Sequence, residues 1–313
     1  MPAREPSALR ALPVWPDTWY VVARSADIAR GAVIDGAIAR RPYVIFRTAG
    51  GELGALDAHC PHMGAHLRSG EVLGDRLRCP LHHWTLDRTG QVCGAQGARR
   101  QGVRAWPVAE RFGLVFLYPG RGAPPELPRT DAEDYAWITG EPVVLDTDWR
   151  AMVINGFDLQ HMLTVHQRAL TAPARFSRTG QGALRLEYAT RVTPGGGLEN
   201  WLVKWVSRDR IRVRQTCHGT IIVLESDLGR TRSCAVFGFV KTDAGARAHI
   251  AFGTPRNGPL WRLRLRITRW SFLSFLRKDY AVIEKMRLKL DDVDDPGVQN
   301  LSAYLRSLPE LER

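Results

Sequence analysis

The residues best suited to chemistry lie in one stretch, "DAHCPHMGAHLRSGEVLGDRLRCPLHHWTLDRTG", Asp57 to Gly90. It reads Cys60-x-His62, sixteen residues, then Cys79-x-x-His82. Two thiolates and two imidazoles suit either iron or zinc. Structural zinc sites of this composition pair cysteine with cysteine and histidine with histidine along the chain. Here each loop offers one of each, which suits a two-iron cluster with both cysteines on one iron and both histidines on the other. Pro61 and Pro80 follow the cysteines at once and preset turns that wrap the sulfurs.

A second candidate is "NGFDLQHMLTVH", Asn155 to His166. His161 and His166 are five apart, so a regular helix leaves them about 140° apart around its axis. They meet at one ion only if the helix ends or bulges between them. Periodicity alone makes them unrelated histidines.

The segments "CPHMGAHL" and "CPLHHW" resemble the Rieske motif at every ligand position and at Pro61, Gly64, Pro80 and Trp84. The resemblance implies a 2Fe-2S cluster held by Cys60, His62, Cys79 and His82. Its potential would exceed that of plant-type ferredoxins, because neutral imidazoles replace two thiolates. One departure is His83, where the family commonly has glycine. Downstream, Asn-x-x-Asp-x-x-His-x-x-x-x-His resembles the mononuclear iron motif of Rieske non-haem iron oxygenase alpha subunits. The likeness is closest to the single-component-type monooxygenases, demethylases and hydroxylases.

That resemblance implies that His161 and His166 bind Fe(II) together with one carboxylate, leaving positions open for O2. Among the C-terminal acids, Asp291, Asp292, Asp294 and Asp295 form a polar run before a proline, where acids are usually solvated. Asp279 instead lies among Phe272, Phe275, Leu276, Val282, Ile283 and Met286 at helical spacings. A carboxylate in an apolar stripe is costly unless a cation or metal meets it. An arginine partner is the ordinary alternative, and Asp279 is the expected third ligand. Asp158 occupies the position of the family's bridging aspartate, which links a Rieske histidine of one subunit to an iron-binding histidine of its neighbour. Asn155 is expected to approach the iron or to hydrogen-bond nearby.

The rest of the chain must position these groups. The resemblance and the strand pattern together imply an α+β protein with two domains. Residues 1–120 would form a Rieske β-domain. Residues 121–313 would form a catalytic helix-grip (START-like) domain, an antiparallel sheet closing over a long C-terminal helix. Short strands broken by glycine run from Trp15 to Tyr118, and "PGRGAPPELPRT" marks the boundary. Trp149 to His166 reads as one helix, "LENWLVKWV" as an alternating strand-like run, and Ser271 to Leu290 as a long helix. "PLWRLRLRITRWSFLSFL", Pro259 to Leu276, fits a strand or a helix equally.

The 313 residues are 44% hydrophobic and 24% charged, ordinary values for a globular protein. The formal charge of +12 comes from five lysines and 39 scattered arginines, not from a basic tail or stripe, which argues against nucleic-acid binding. No apolar run approaches the roughly 18 residues of a spanning helix, and no signal-peptide core opens the chain. A cytoplasmic location follows as the expectation, with peripheral membrane contact by Pro259 to Leu276 left open. Cys217 and Cys234 read as small buried apolar residues.

No glycine-rich dinucleotide turn is present. The resemblance therefore implies electrons from NAD(P)H arriving through a separate ferredoxin or flavin reductase. It also implies a homotrimer and a small apolar organic substrate to be hydroxylated, demethylated, desaturated or cyclised. The alternative is an electron carrier or apolar-ligand-binding module without oxygenase activity.

Overall fold

The computed structural model describes residues 7–93, 101–131, 134–193 and 198–312. The chain divides into two compact units. One is Val22–Pro124 with Leu311–Arg313, and the other is Met1–Val21 with Pro125–Glu310.

The first unit is built of short antiparallel strands. β2 (Val33–Ile38), β3 (Arg41–Arg47) and β4 (Leu53–Asp57) form one sheet, while β5 (Glu71–Leu73), β6 (Arg76–Arg78), β7 (Thr85–Leu86) and β8 (Val92–Cys93) form another. A third sheet has the order β1 (Tyr20–Arg24), β10 (Leu114–Leu117), β9 (Val108–Arg111). Val44, Phe46, Leu56, Leu67, Leu77 and Leu86 close a core that also takes in Cys60 and Cys79. The two cysteine loops leave from the ends of β4 and β6, so each loop base is fixed by a strand of its own sheet.

The second unit carries a nine-stranded sheet. Its main path runs β11 (Tyr135–Thr139), β19 (Gly245–Pro255), β18 (Arg232–Thr242), β17 (Ile221–Asp227), β16 (Ile211–His218), β15 (Leu184–Val192), β13 (Arg168–Leu170). β12 (Val143–Leu145) also pairs with β19, and β14 (Arg175–Arg178) with β15, all antiparallel. Apart from α1 (Ser7–Arg10), the α-helices among the described residues are α2 (Trp149–Phe157), α3 (His161–Thr164), α4 (Leu198–Ser207), α5 (Trp261–Ile283) and α6 (Pro296–Arg306). α2 packs on β18, β19, α5 and α6. Its Trp149, Val153 and Phe157 share one core with Leu186, Phe252, Ile283 and Leu301. This is the expected α+β arrangement of a Rieske-type β-unit and a helix-bearing antiparallel sheet.

Leu9, Leu12 and Val14 are tied to α2 of this second unit. The Arg150 guanidinium is buried and donates to the carbonyls of Leu9 and Leu12, and Trp149 Nε1 donates to that of Val14. Asp148 caps the helix through the Arg150 N–H.

Three local expectations are corrected. "LENWLVKWV" is the helix α4, not a strand; Leu198, Trp201, Leu202, Trp205 and Val206 also satisfy helical spacing, and helix prevails. The Trp149 to His166 stretch is two helices with a break. The C-terminal helix starts at Trp261, ten residues earlier than expected, and ends at Ile283, so Pro259 to Leu276 resolves as helical. Among the described residues no helix is long and apolar enough to cross a membrane.

α6 approaches the end of α2 closely enough to need glycine. A Cβ at Gly297 would stand 1.9 Å from the Phe157 carbonyl oxygen. Gly297→Ala is therefore expected to destabilise this unit by about 1–3 kcal/mol, as forced overpacking does, read as a lowered midpoint in thermal unfolding.

Candidate active site: paired metal-binding constellations

The two cysteine loops share one backbone conformation. Cys60 N–H donates to the Ala65 carbonyl at 2.8 Å and Gly64 N–H to the Cys60 carbonyl at 2.9 Å. In the other loop Cys79 N–H donates to the Trp84 carbonyl at 2.7 Å and His83 N–H to the Cys79 carbonyl at 3.2 Å. Gly64 (φ 77°) and His83 (φ 58°) occupy the same left-handed seat, four residues after each cysteine. The departure at His83 is thus explained as a turn position that glycine fills without strain.

Both cysteines are buried, whereas His62 and His82 are exposed at the loop tips. The two imidazoles lie edge to face with centroids 4.5 Å apart, and His62 stacks on Trp84 at 4.3 Å. Burial pushes the Cys60 thiol up, the neighbouring Cys79 thiol adds to this, and the backbone N–H groups of His62 and Met63 oppose it. A Cys60 thiol that ionises reluctantly alone, beside a second cysteine and backbone donors, fits a group that brings its own positive charge. His83 is exposed, and Cys93 lies near Asp87. Cys217 and Cys234 are buried in the second unit with thiols raised by burial.

The second constellation depends on the break after α2. Helical geometry stops at Asp158 (ψ 112°), whose N–H still donates to the Ile154 carbonyl. Asp158 Oδ1 then accepts from the N–H groups of Gln160 and His161 at 2.9 and 3.2 Å, restarting the helix as α3. Gln167, at φ 56°, turns the chain out into β13. His161 therefore opens α3 and His166 lies just past its end, so their ring centroids come within 5.1 Å.

Asp279, on α5, meets them. Its Oδ1 is 2.7 Å from His166 Nε2 and 3.7 Å from His161 Nε2. One ligand atom from each of the three residues lies within 4.8 Å of the others. Asp279 and His166 are 5% and 1% exposed, and His166 stacks on Phe275 at 3.4 Å. Desolvation lowers the His166 pKa, with Asp279 opposing. The Nδ1 atoms of both imidazoles are buried without a hydrogen-bond partner. Two imidazoles and a carboxylate converging in a desolvated corner are a donor set that fits one divalent iron. Asp158 Oδ2 lies 3.9 Å from His161 Nδ1, and Asn155 faces the adjoining cavity.

That cavity has a volume of ≈ 530 Å³ and extends from Asn155, His161 and Asp279 across the inner faces of β15 to β18 to α5. Met162, Val213, Leu224, Phe237, Phe272 and Ile283 make its wall predominantly apolar.

Sequence reasoning missed three groups around this corner. Tyr188 and Tyr280 line the cavity, their phenols raised first by burial and then by the charge of Asp279. Tyr280 directly follows Asp279, but no spacing pointed to Tyr188. The third is Asp295, expected to be solvated yet only 3% exposed. Its Oδ1 accepts from the N–H groups of Gly297 and Val298, and its Oδ2 from that of Leu159 at 3.3 Å, inside the break. The Asp-Pro-Gly signature of a capped helix start was its visible signal.

Two outcomes follow. His83→Gly is expected to keep the cluster's visible absorption and to stabilise the protein by about 0.5–1 kcal/mol, whereas His82→Ala removes that absorption. Asp295→Ala is expected to lower stability by about 1–2 kcal/mol through the lost cap, measured by denaturant titration.

Residues 18–107 match the family model of the Rieske [2Fe-2S] domain. The chain is 33% identical over 141 residues to the vanillate O-demethylase oxygenase subunit of a Pseudomonas species, covering 42% of this chain and 43% of the relative. It is 30% identical over 163 residues to the oxygenase component of 3-ketosteroid-9-alpha-monooxygenase from Rhodococcus rhodochrous, 47% and 43% of the two chains. The matched segments span less than half the length of these curated relatives. In fold it is similar to dicamba monooxygenase bound to dicamba, with a TM-score of 0.70 and 18% identity over 94% of this chain and 98% of that one. An oxygenase and ferredoxin complex of carbazole 1,9a-dioxygenase also matches, with a TM-score of 0.68 and 18% identity over 96% and 90%. The chain thus carries a Rieske [2Fe-2S] domain and resembles Rieske oxygenase alpha subunits in sequence over about half its length and in fold over nearly all of it.

Proposed function

We propose that this protein is the terminal oxygenase component of a Rieske non-haem iron system, acting on a small apolar organic molecule. The carrying observation is the approach of His161, His166 and Asp279 beside an apolar cavity of ≈ 530 Å³. An electron carrier has no use for such a corner, and a plain ligand-binding module has no use for a buried carboxylate between two imidazoles.

Cys60, His62, Cys79 and His82 would hold the 2Fe-2S cluster, and His161, His166 and Asp279 the Fe(II). Together these groups would supply one-electron transfer and O2 activation. The polypeptide does the rest. Burial keeps His166 neutral and able to bind metal, and stacking on Phe275 fixes its plane. The apolar wall excludes water from the corner and orients an apolar substrate by shape. Tyr188 and Tyr280, with raised phenol pKa values, remain protonated donors beside the carboxylate.

Asp158 lies a third exposed beside His161, in keeping with an electron path that enters from a neighbouring subunit of a homotrimer. Electrons would come from NAD(P)H through a separate ferredoxin or reductase, and the system would work in the cytoplasm. Relatives named as a demethylase, a ketosteroid monooxygenase and a cholesterol desaturase act on different bonds, so the oxidation is assigned only as a class.

The test is metal content with spectroscopy. Reduced protein should give a Rieske-type paramagnetic signal and contain one iron beyond the two of the cluster. Asp279→Ala should keep the signal and lose the extra iron, with Fe(II) affinity reduced by more than the roughly 10–100-fold typical of losing an outer-shell partner. Wild-type protein that never takes up a third iron would leave an electron carrier instead.

A further inference from the structure

The face of α5 that borders the cavity mouth is apolar where it should be polar. Leu260, Leu263, Ile267 and Trp270 are 67, 52, 42 and 48% exposed. Their spacing makes one stripe less than about 100° wide, apart from the buried face carrying Leu265, Asp279 and Ile283. The first three also line the cavity, as does Trp205 of α4, itself 54% exposed. One continuous apolar surface therefore runs from solvent to the neighbourhood of Asp279.

The charges that α5 carries before Asp279 have one sign. Arg262, Arg264, Arg266, Arg269, Arg277 and Lys278 lie on α5, and no acid occurs in the helix before Asp279. Arg266 is exposed next to the stripe and Arg262 is exposed on the adjoining flank of the helix, and Arg230 stacks over Trp205 at 4.7 Å. An exposed apolar stripe edged by cations complements an anionic lipid surface, where acyl chains cover the apolar residues and headgroups meet the arginines. A protein partner would have to supply a matching acidic rim.

We infer that α5 and Trp205 form a membrane-docking face that seats the cavity mouth on an anionic bilayer, giving a lipophilic molecule a dry route into the cavity. The docking stands on this surface alone; that the molecule so admitted is a substrate rests on the oxygenase reading.

Co-sedimentation of the iron-loaded protein with phosphatidylcholine vesicles, with and without phosphatidylglycerol, tests it. Binding should appear with the anionic lipid, fall on the order of ten-fold or more without it, and weaken in high salt. Arg262→Glu/Arg266→Glu and, separately, Leu263→Asp/Ile267→Asp should each abolish it while keeping the cluster absorption and unfolding midpoint. No sedimentation at low salt overturns the inference, as does undiminished binding by either variant. Self-association without vesicles that the apolar variant removes would also overturn it, making the stripe a contact between copies. None of these readings depends on the third iron, so failure here leaves the proposed activity standing, and loss of that iron leaves docking intact.

Discussion

One buried carboxylate organises the second half of this molecule. Asp279 is 5% exposed, and its Oδ1 approaches both His166 and His161. A charge in that setting is tolerated only where groups converge to meet it. Here they come from elements 113 residues apart along the chain. α5 supplies the acid and Phe275, while the chain that follows α2 supplies the imidazoles. The sheet that packs α2 sets the distance between them.

Convergence requires α2 to end where it does. Two acids accomplish this by different routes. Asp158 caps the new turn locally, and Asp295 reaches in from the start of α6 to accept from the Leu159 N–H. The glycine that lets α6 come so close is Gly297, against the Phe157 carbonyl. A helix continuing through this stretch would hold the two histidines on different faces.

The first unit solves a simpler version of the same problem. Its cysteines belong to a hydrophobic core and its histidines stand exposed, so one side of the candidate cluster is dry and the other reachable. Two loops of equal backbone shape present a histidine at different offsets, two residues after Cys60 and three after Cys79. The left-handed residue follows four after each cysteine, so the turn, not the ligand spacing, is what repeats.

The primary structure by itself determined the local features. The Cys-x-His and Cys-x-x-His loops, the strand-rich first unit and the odd placement of Asp279 in an apolar stripe were all legible, because residue type and short-range spacing carry them. Spacing misled where two periods fit equally, as at Leu198 to Ser207, and where one helical pattern spanned a break, as from Trp149 to His166. The burial of Asp295, the nearness of Tyr188 to Asp279, and the exposure of Leu263 and Ile267 beside a cavity were decided only by tertiary packing. Each depends on which distant segment covers a residue, and a linear pattern records periodicity but not the partner that fills the space.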